Sequence, residues 1–415
     1  MLSCYRILDL TDERAFIAGR ALSDFGASVI KIEKPGGDVS RFRGPFYLDD
    51  ADPEKNLWWL SFNANKRGIT LDIEKPEGRA LLLELVKTAD AVLESFAPGY
   101  LESIGLGYGD LRAVNPGIVL TSMTGFGQEG PYRDYKDPDI VVRALGGMVY
   151  TVGYPDRPPL GSSFQHTHSL GAMNGAVGTL IALAQRVHTG AGQHVEGITQ
   201  QALDVVCSAE IEGPYALFGQ APGRYGRARA SVTLADGATY YNTLLWPCKD
   251  GYIALNLLLN PSAARNNAAM MEYIAQDGIP TGTFATWDWT TKSWEHMSRA
   301  QADELMDVLG KFFLNHTKDE LLKLAVANRF QLGPCNNVED ILKHPQLEER
   351  GFWKDIEHPD LGTSFKFPGG AVMTTQGPVG PKRRAPRIGE HNAEIYGELG
   401  LSDARQAELR AQGVI

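Results

Sequence analysis

The feature that most restricts the fold of this chain is an alternation of short apolar runs with helical segments over its first 125 residues. Arg6 to Leu10 is apolar and extended, residues 15–25 carry helical spacing, and Ser28-Val-Ile-Lys-Ile-Glu33 alternates in part. Gly26 stands where the helix should stop, and Lys34-Pro-Gly-Gly37 ends the second run. A second unit follows: a strand over 69–73, a helix over 76–88 with Pro76 in its first turn, and a strand at Ala91-Val-Leu-Glu94. Asn115-Pro-Gly then turns the chain into a buried strand over 118–122. Strands alternating with helices predict an α/β protein with a doubly wound parallel sheet.

Beyond that sheet, residues 168–186 are rich in Gly, Ala and Leu, and Gly171, Gly175 and Gly178 are spaced to let a helix approach its neighbour closely. A turn over 189–193 and a second helix over 198–209 follow, and 215–230, rich in Gly and Arg, reads as a linker. At 415 residues the chain exceeds the usual size of a single core. The expected division is a large domain starting with 1–225, a smaller α+β domain over 226–330 holding most of the tryptophans and a helix over 300–315, and a return to the large domain over 331–415.

Composition narrows the function classes. A net charge of −10 argues against general binding to nucleic acid or an anionic membrane. No basic start followed by an apolar run supports export, and no stretch is long and apolar enough to span a bilayer, so a cytoplasmic location is expected. Cys4, Cys207, Cys248 and Cys335 are scattered without metal or disulfide spacing. The 34–38 turn lacks the GxGxxG spacing of a dinucleotide site and the chain has no GxxxxGK[ST] P-loop, which argues against dinucleotide and triphosphate chemistry.

Several short segments could still meet a ligand. The 34–38 turn offers backbone amides, Asn63-Ala-Asn-Lys-Arg67 puts two cations beside a strand, and Ser95-Phe-Ala-Pro-Gly99 sits at a strand end where α/β sheets bind ligands. His166 and His168, two apart, would share a face on a strand and suit a metal, but no third ligand has diagnostic spacing and no metal is assigned.

In order along the chain, Asp9-Leu-Thr, Val29-Ile-Lys-Ile-Glu33, Asn65-Lys-Arg67, Glu94-Ser-Phe-Ala-Pro-Gly99, Gly125-Phe-Gly, Thr189-Gly-Ala-Gly-Gln193, His344-Pro-Gln-Leu347 and Pro386-Arg-Ile-Gly389 resemble the family III CoA transferases. The resemblance implies a Rossmann-like large domain with a smaller domain, two subunits interlocked like linked rings, and an acyl-CoA and a small carboxylic acid as substrates without a metal. It further implies CoA contacts at Arg14, Ala15, Lys34, Asn63, Ala64, Asn65, Lys66, Ser95, Phe96, Ala97, Ser103, Lys136, Asp137, Pro138 and Asp139. Ser95, Ala97 and Ser103 depart from the family, where asparagine is commoner at the first and arginine at the other two.

Family members use an aspartate that attacks the acyl thioester and is later released by a second carboxylate. Counting back from Thr189-Gly190 places it at His168, and 161–172 contains no acid. The histidine of the related acyl-CoA racemases would fall near Pro138 and is also missing. The first reading is therefore a non-catalytic subunit of a heteromeric CoA transferase, an interlocked dimer or heterotetramer in which a homologous chain supplies the aspartate. The succinyl-CoA:benzylsuccinate CoA transferases of aromatic degradation are similar two-subunit enzymes. The alternatives are a stand-alone acyl-CoA isomerase, racemase or hydrolase using His168, and a non-catalytic CoA-binding scaffold.

Overall fold

A computed structural model describes residues 1–164, 166–208, 212–219, 223–224 and 228–415. The chain divides into two compact units. One comprises Met1–Met148, Ser162–Gly213 and Glu348–Ile415, and the other Val149–Gly161 and Pro214–Leu347. The boundary expected at 225–226 lies outside the described residues. Of the expected linker, 215–218 instead finishes the helix Glu212–Phe218, and a strand begins at Ala228.

The first unit is built on six parallel strands, β1 (Arg6–Leu10), β2 (Ser28–Glu33), β3 (Arg67–Thr70), β4 (Ala91–Glu94), β5 (Val119–Thr124) and β6 (His194–Ile198). Their order across the sheet is β3-β2-β1-β4-β5-β6. Every residue of β4 and β5 is buried, as expected of strands covered on both faces. Helices α1 (Phe16–Asp24), α2 (Leu57–Phe62), α3 (Pro76–Lys87), α4 (Tyr100–Ser103) and α5 (Tyr108–Val114) intervene, followed by α6 (Asp139–Leu145), α7 (Thr167–Thr189) and α8 (Thr199–Cys207). The strand expected over 69–73 lies earlier, because Asp72 has turned away to donate its N–H to the carbonyl of Val414.

The glycine spacing of α7 does what close packing requires. A Cβ on Gly175 would lie 2.8 Å from the Met123 side chain, and one on Gly178 the same distance from Val195. Helix α7 thus presses onto β5 and β6. The sequence reading missed β6, whose five residues follow the 189–193 turn directly. The C-terminal segment is tied to the same sheet: Asn392 accepts the Thr70 N–H at 2.9 Å and the Tyr396 hydroxyl donates to the Thr70 carbonyl at 2.6 Å.

The second unit has an antiparallel three-stranded sheet of Leu245–Cys248, Gly251–Leu255 and Leu332–Pro334. Trp246, Ile253, Phe284, Leu305, Phe312 and Phe313 belong to its buried core. The helix Arg299–Asn315 opens with a reciprocal cap, Ser298 receiving the Gln301 N–H and Gln301 receiving the Ser298 N–H. Among the described residues no helix is long and apolar enough to cross a membrane.

Candidate functional site

The strand order reverses direction between β1 and β4, and in open α/β sheets ligands bind at the carboxyl ends of the strands flanking that point. Here those ends are followed by Thr11 to Arg14 and by Ser95 to Pro98. Ser95 stitches them together, its hydroxyl accepting the Asp12 N–H at 2.8 Å and donating to the Asp12 carboxylate at 3.0 Å. Arg14 adds a bond to the Ser95 carbonyl and pairs with Asp137 at 2.9 Å. Burial works against the Arg14 charge, but the bonds from Asp12 and Asp137 outweigh it and hold its pKa above the ordinary guanidinium value.

Two cavities share Arg14, Asp137 and Pro138 as a common wall. One, of about 510 Å³, is lined by Phe96, Ala97, Thr124, Arg133 and Lys136 as well. The other, of about 620 Å³, adds Glu13, Arg43, Trp58, Asp139 and His168. Both volumes suit a small-molecule ligand. Arg14, Arg133 and Lys136 bring cations to the first cavity, as a phosphate-bearing ligand requires.

His168 stands in the first turn of α7, not on a strand, and His166 is the residue before the helix. His166 Nδ1 lies 3.0 Å from the Phe164 carbonyl while His168 reaches Asp137 and Thr199, so the shared face expected of the pair on a strand is not formed. Among the described residues no cluster of three His, Cys, Asp or Glu could hold a metal. His168 is 9% exposed, with Nε2 2.7 Å from the Asp137 carbonyl and Nδ1 3.3 Å from the Thr199 hydroxyl. A carbonyl only accepts, so Nε2 carries a proton, and Nδ1 is engaged by the Thr199 hydroxyl. Both ring nitrogens are engaged.

The acids missing from 161–172 reach the site from 30 residues upstream. Asp139 caps α7, accepting the Thr167 N–H at 2.8 Å and the Thr167 hydroxyl at 3.1 Å, and it also pairs with Arg143. Asp137 is held by Arg14 and by the Gly125 N–H at 2.9 Å. Glu13 pairs with Arg43; partial burial raises its pKa while Arg43 opposes the rise. Each of these carboxylates therefore already has an arginine partner.

The expected CoA contacts separate into groups. Arg14, Phe96, Ala97, Lys136, Asp137, Pro138 and Asp139 line one or both cavities, while Ala15 and Ser95 are buried behind them. Asn63, Ala64, Asn65 and Lys66 line neither. Lys66 is 1% exposed, its ammonium 2.7 Å from Asp9 and 2.9 Å from the Phe16 carbonyl. Burial lowers its pKa to about 8 despite the Asp9 charge. Asn65 holds the returning chain, accepting the Lys382 N–H at 2.7 Å and donating to the Gly380 carbonyl at 3.1 Å. Lys34 is paired at the surface with Glu74 at 2.9 Å, and Ser103 donates to the Tyr100 carbonyl of its own helix at 2.7 Å. Glu13, Arg43, Trp58 and Arg133 are cavity residues that sequence reading passed over, since no spacing distinguishes them from other loop residues.

A parallel α/β sheet with two cavities at its switch point, one of them bearing Arg14, Arg133 and Lys136, defines an α/β protein whose site is sized for a small molecule. The comparisons sharpen that class: residues 2–392 match CoA-transferase family III, and the chain belongs to that family. It is 34% identical to the succinyl-CoA–D-citramalate CoA-transferase of Chloroflexus aurantiacus, over 99% of this chain and 97% of that protein. It is 30% identical to BbsE, a subunit of the succinyl-CoA:(R)-benzylsuccinate CoA-transferase of Thauera aromatica, over 100% and 98%. Among solved structures, a CaiB/BaiF family protein from Brucella suis superposes with a TM-score of 0.80 at 27% identity, covering 96% of this chain and 99% of that one.

Proposed function

We propose that this chain is the non-nucleophilic subunit of a CoA transferase that moves CoA between an acyl-CoA, such as succinyl-CoA, and a carboxylic acid, and that a homologous partner supplies the attacking carboxylate. The observation that carries this reading is the state of position 168. Its ring nitrogens both hold hydrogen bonds, and Glu13, Asp137 and Asp139 of the same cavity are each paired with an arginine. A nucleophile needs a free lone pair at the acyl carbon, and an acyl imidazole would be labile to water. The first cavity, with Arg14, Arg133 and Lys136, takes the phosphates of CoA in this reading, and Phe96 is available to stack on its base.

A partner chain is further supported by apolar surface. On α7 and α8, Val177, Ile181, Val187, Val205 and Val206 are all more than half exposed. An interlocked arrangement with a homologous subunit, in the cytoplasm and without nucleic acid or membrane, would cover them. The subunit designation of the Thauera relative points the same way.

The test is to purify the chain alone and together with an aspartate-bearing homologue, and to assay transfer from succinyl-CoA to a panel of carboxylic acids. Activity confined to the mixture is expected. Transfer by the lone chain that His168→Ala abolishes would overturn the proposal in favour of a stand-alone enzyme.

A further inference from the structure

Among the described residues three acids are buried below 9% exposure: Asp9, Glu33 and Glu94. Asp9 lies 2.7 Å from Lys66, and Glu33 lies 2.6 Å from Arg41. Among the described residues Glu94 has no ion pair. A buried carboxylate without a cation is costly, and its neighbours show what it does instead. It accepts the Phe96 N–H at 2.7 Å, and Ser122 is its register partner on β5, near enough to favour the ionised carboxylate. The Ser122 hydroxyl is in turn 2.8 Å from Nε2 of His194, the first residue of β6. His194 is half-buried and stacks on Tyr108 with ring centroids 5.9 Å apart. A line of adjacent polar groups thus runs from a partly exposed imidazole through Ser122 and Glu94 to the turn whose Phe96, Ala97 and Pro98 line the smaller cavity.

The order of groups excludes a nucleophilic serine triad. The acid touches the serine rather than the imidazole, and Ser122 is only 2% exposed. The same order suits a reversible relay. With Glu94 ionised, His194 donates from Nε2 to Ser122, Ser122 donates to the carboxylate, and the carboxylate holds Phe96 through a charge-assisted bond. When Glu94 takes up one proton, its O–H donates to Ser122, Ser122 donates to Nε2, and the His194 proton resides on Nδ1. Phe96 is then left with a neutral acceptor.

We infer that Glu94 is a positioning residue for the 95–98 turn, and that Ser122 and His194 couple its proton uptake to solvent, so that the cavity wall has a tight ionised state and a looser protonated one. Burial is the main influence that pushes the Glu94 pKa up to about 7, against the bonds from Ser122 and Phe96. Glu102 on α4 adds to the rise and Arg14 opposes it. His194 is shifted down chiefly by its own burial, against Glu196 on β6 and Glu102. The inference stands apart from the cavity's proposed role in CoA binding, and its test reads the turn itself.

The experiment is hydrogen exchange on the full chain at about pH 5.5 and about pH 8.5, corrected for the intrinsic rate, with the Val92 amide as an internal reference. The protection of the Phe96 amide relative to Val92 should rise roughly five-fold at the higher pH, since an ionised acceptor bonds about twice as strongly as a neutral one. Glu94→Gln, which offers the same acceptor and donor as the protonated acid, should keep the low-pH protection at both values. In Ser122→Ala the His194 ring resonances should lose the titration step they share with Glu94. Equal wild-type protection at both pH values would overturn the inference without recourse to any variant, as would a Glu94→Gln chain that keeps the high-pH protection.

Discussion

The segment Asn63–Lys66 and the turn residues Ser95–Ala97 each lie beside a strand, and the family resemblance implies CoA contacts at both. The structure gives them opposite roles. Lys66 matches its charge internally, sharing Asp9 with Lys31, and Gly19 on α1 leaves room for that cluster, since a Cβ there would stand 2.2 Å from an Asp9 oxygen. Phe96, Ala97 and Pro98 line a cavity, and Glu94 before them forms no ion pair among the described residues, with Arg14 acting on it only from a distance. A charge matched inside the core holds the fold together, whereas a charge left in surplus at a strand end is available to a ligand or a proton.

Substitutions can break or sharpen this contrast. Lys66→Met should have the largest effect, a loss of about 3 to 5 kcal/mol in urea unfolding, because it leaves Asp9 buried with only the more distant Lys31 at 3.8 Å. A loss under about 1 kcal/mol would mean that Lys66 serves a ligand instead of the core.

Glu94→Gln should act in the opposite direction. The folded-state pKa of Glu94, about 7, lies above the ordinary glutamate value, so the folded chain binds the proton more tightly. Wild-type stability should therefore be greatest below the ordinary carboxylate range and decline as pH rises to about 7, and the variant should lack this decline. At pH 8 the variant should be the more stable by on the order of 2 kcal/mol.

Smaller effects belong to the cavity surface. Arg14→Ala should cost about 1 kcal/mol, since its pairs with Asp12 and Asp137 are partly exposed, while calorimetry should show any CoA affinity of the chain falling much further. Ser103→Ala, whose hydroxyl bonds only within its own exposed turn, should change unfolding by less than about 0.5 kcal/mol.

Local pattern made much of this fold legible. The apolar runs of β1, β2, β4 and β5 and the glycine spacing of α7 are contiguous signals, and the structure carries them as sheet and close-packed helix. Strand β6 was missed because it follows a turn and leads straight into α8, leaving no flanking break to reveal it. The site was legible only in part. Arg14 and Lys136 could be named from family resemblance, but the approach of Asp137 to His168, or of Ser122 to His194, joins residues 31 and 72 positions apart. No spacing rule reaches that far. The reading of 161–172 as devoid of acid was true of the segment and not of the space around it.

If the chain is the non-nucleophilic subunit proposed above, no acyl or CoA group should become attached to it during turnover. Intact-mass spectrometry of the assembled pair after brief incubation with succinyl-CoA tests it most directly. Each subunit's mass shows whether an acyl or CoA group has become attached. Covalent adducts should form on the aspartate-bearing partner, and the mass of this chain should stay unchanged. An adduct on this chain, at His168 or at any carboxylate of the cavity, would contradict it.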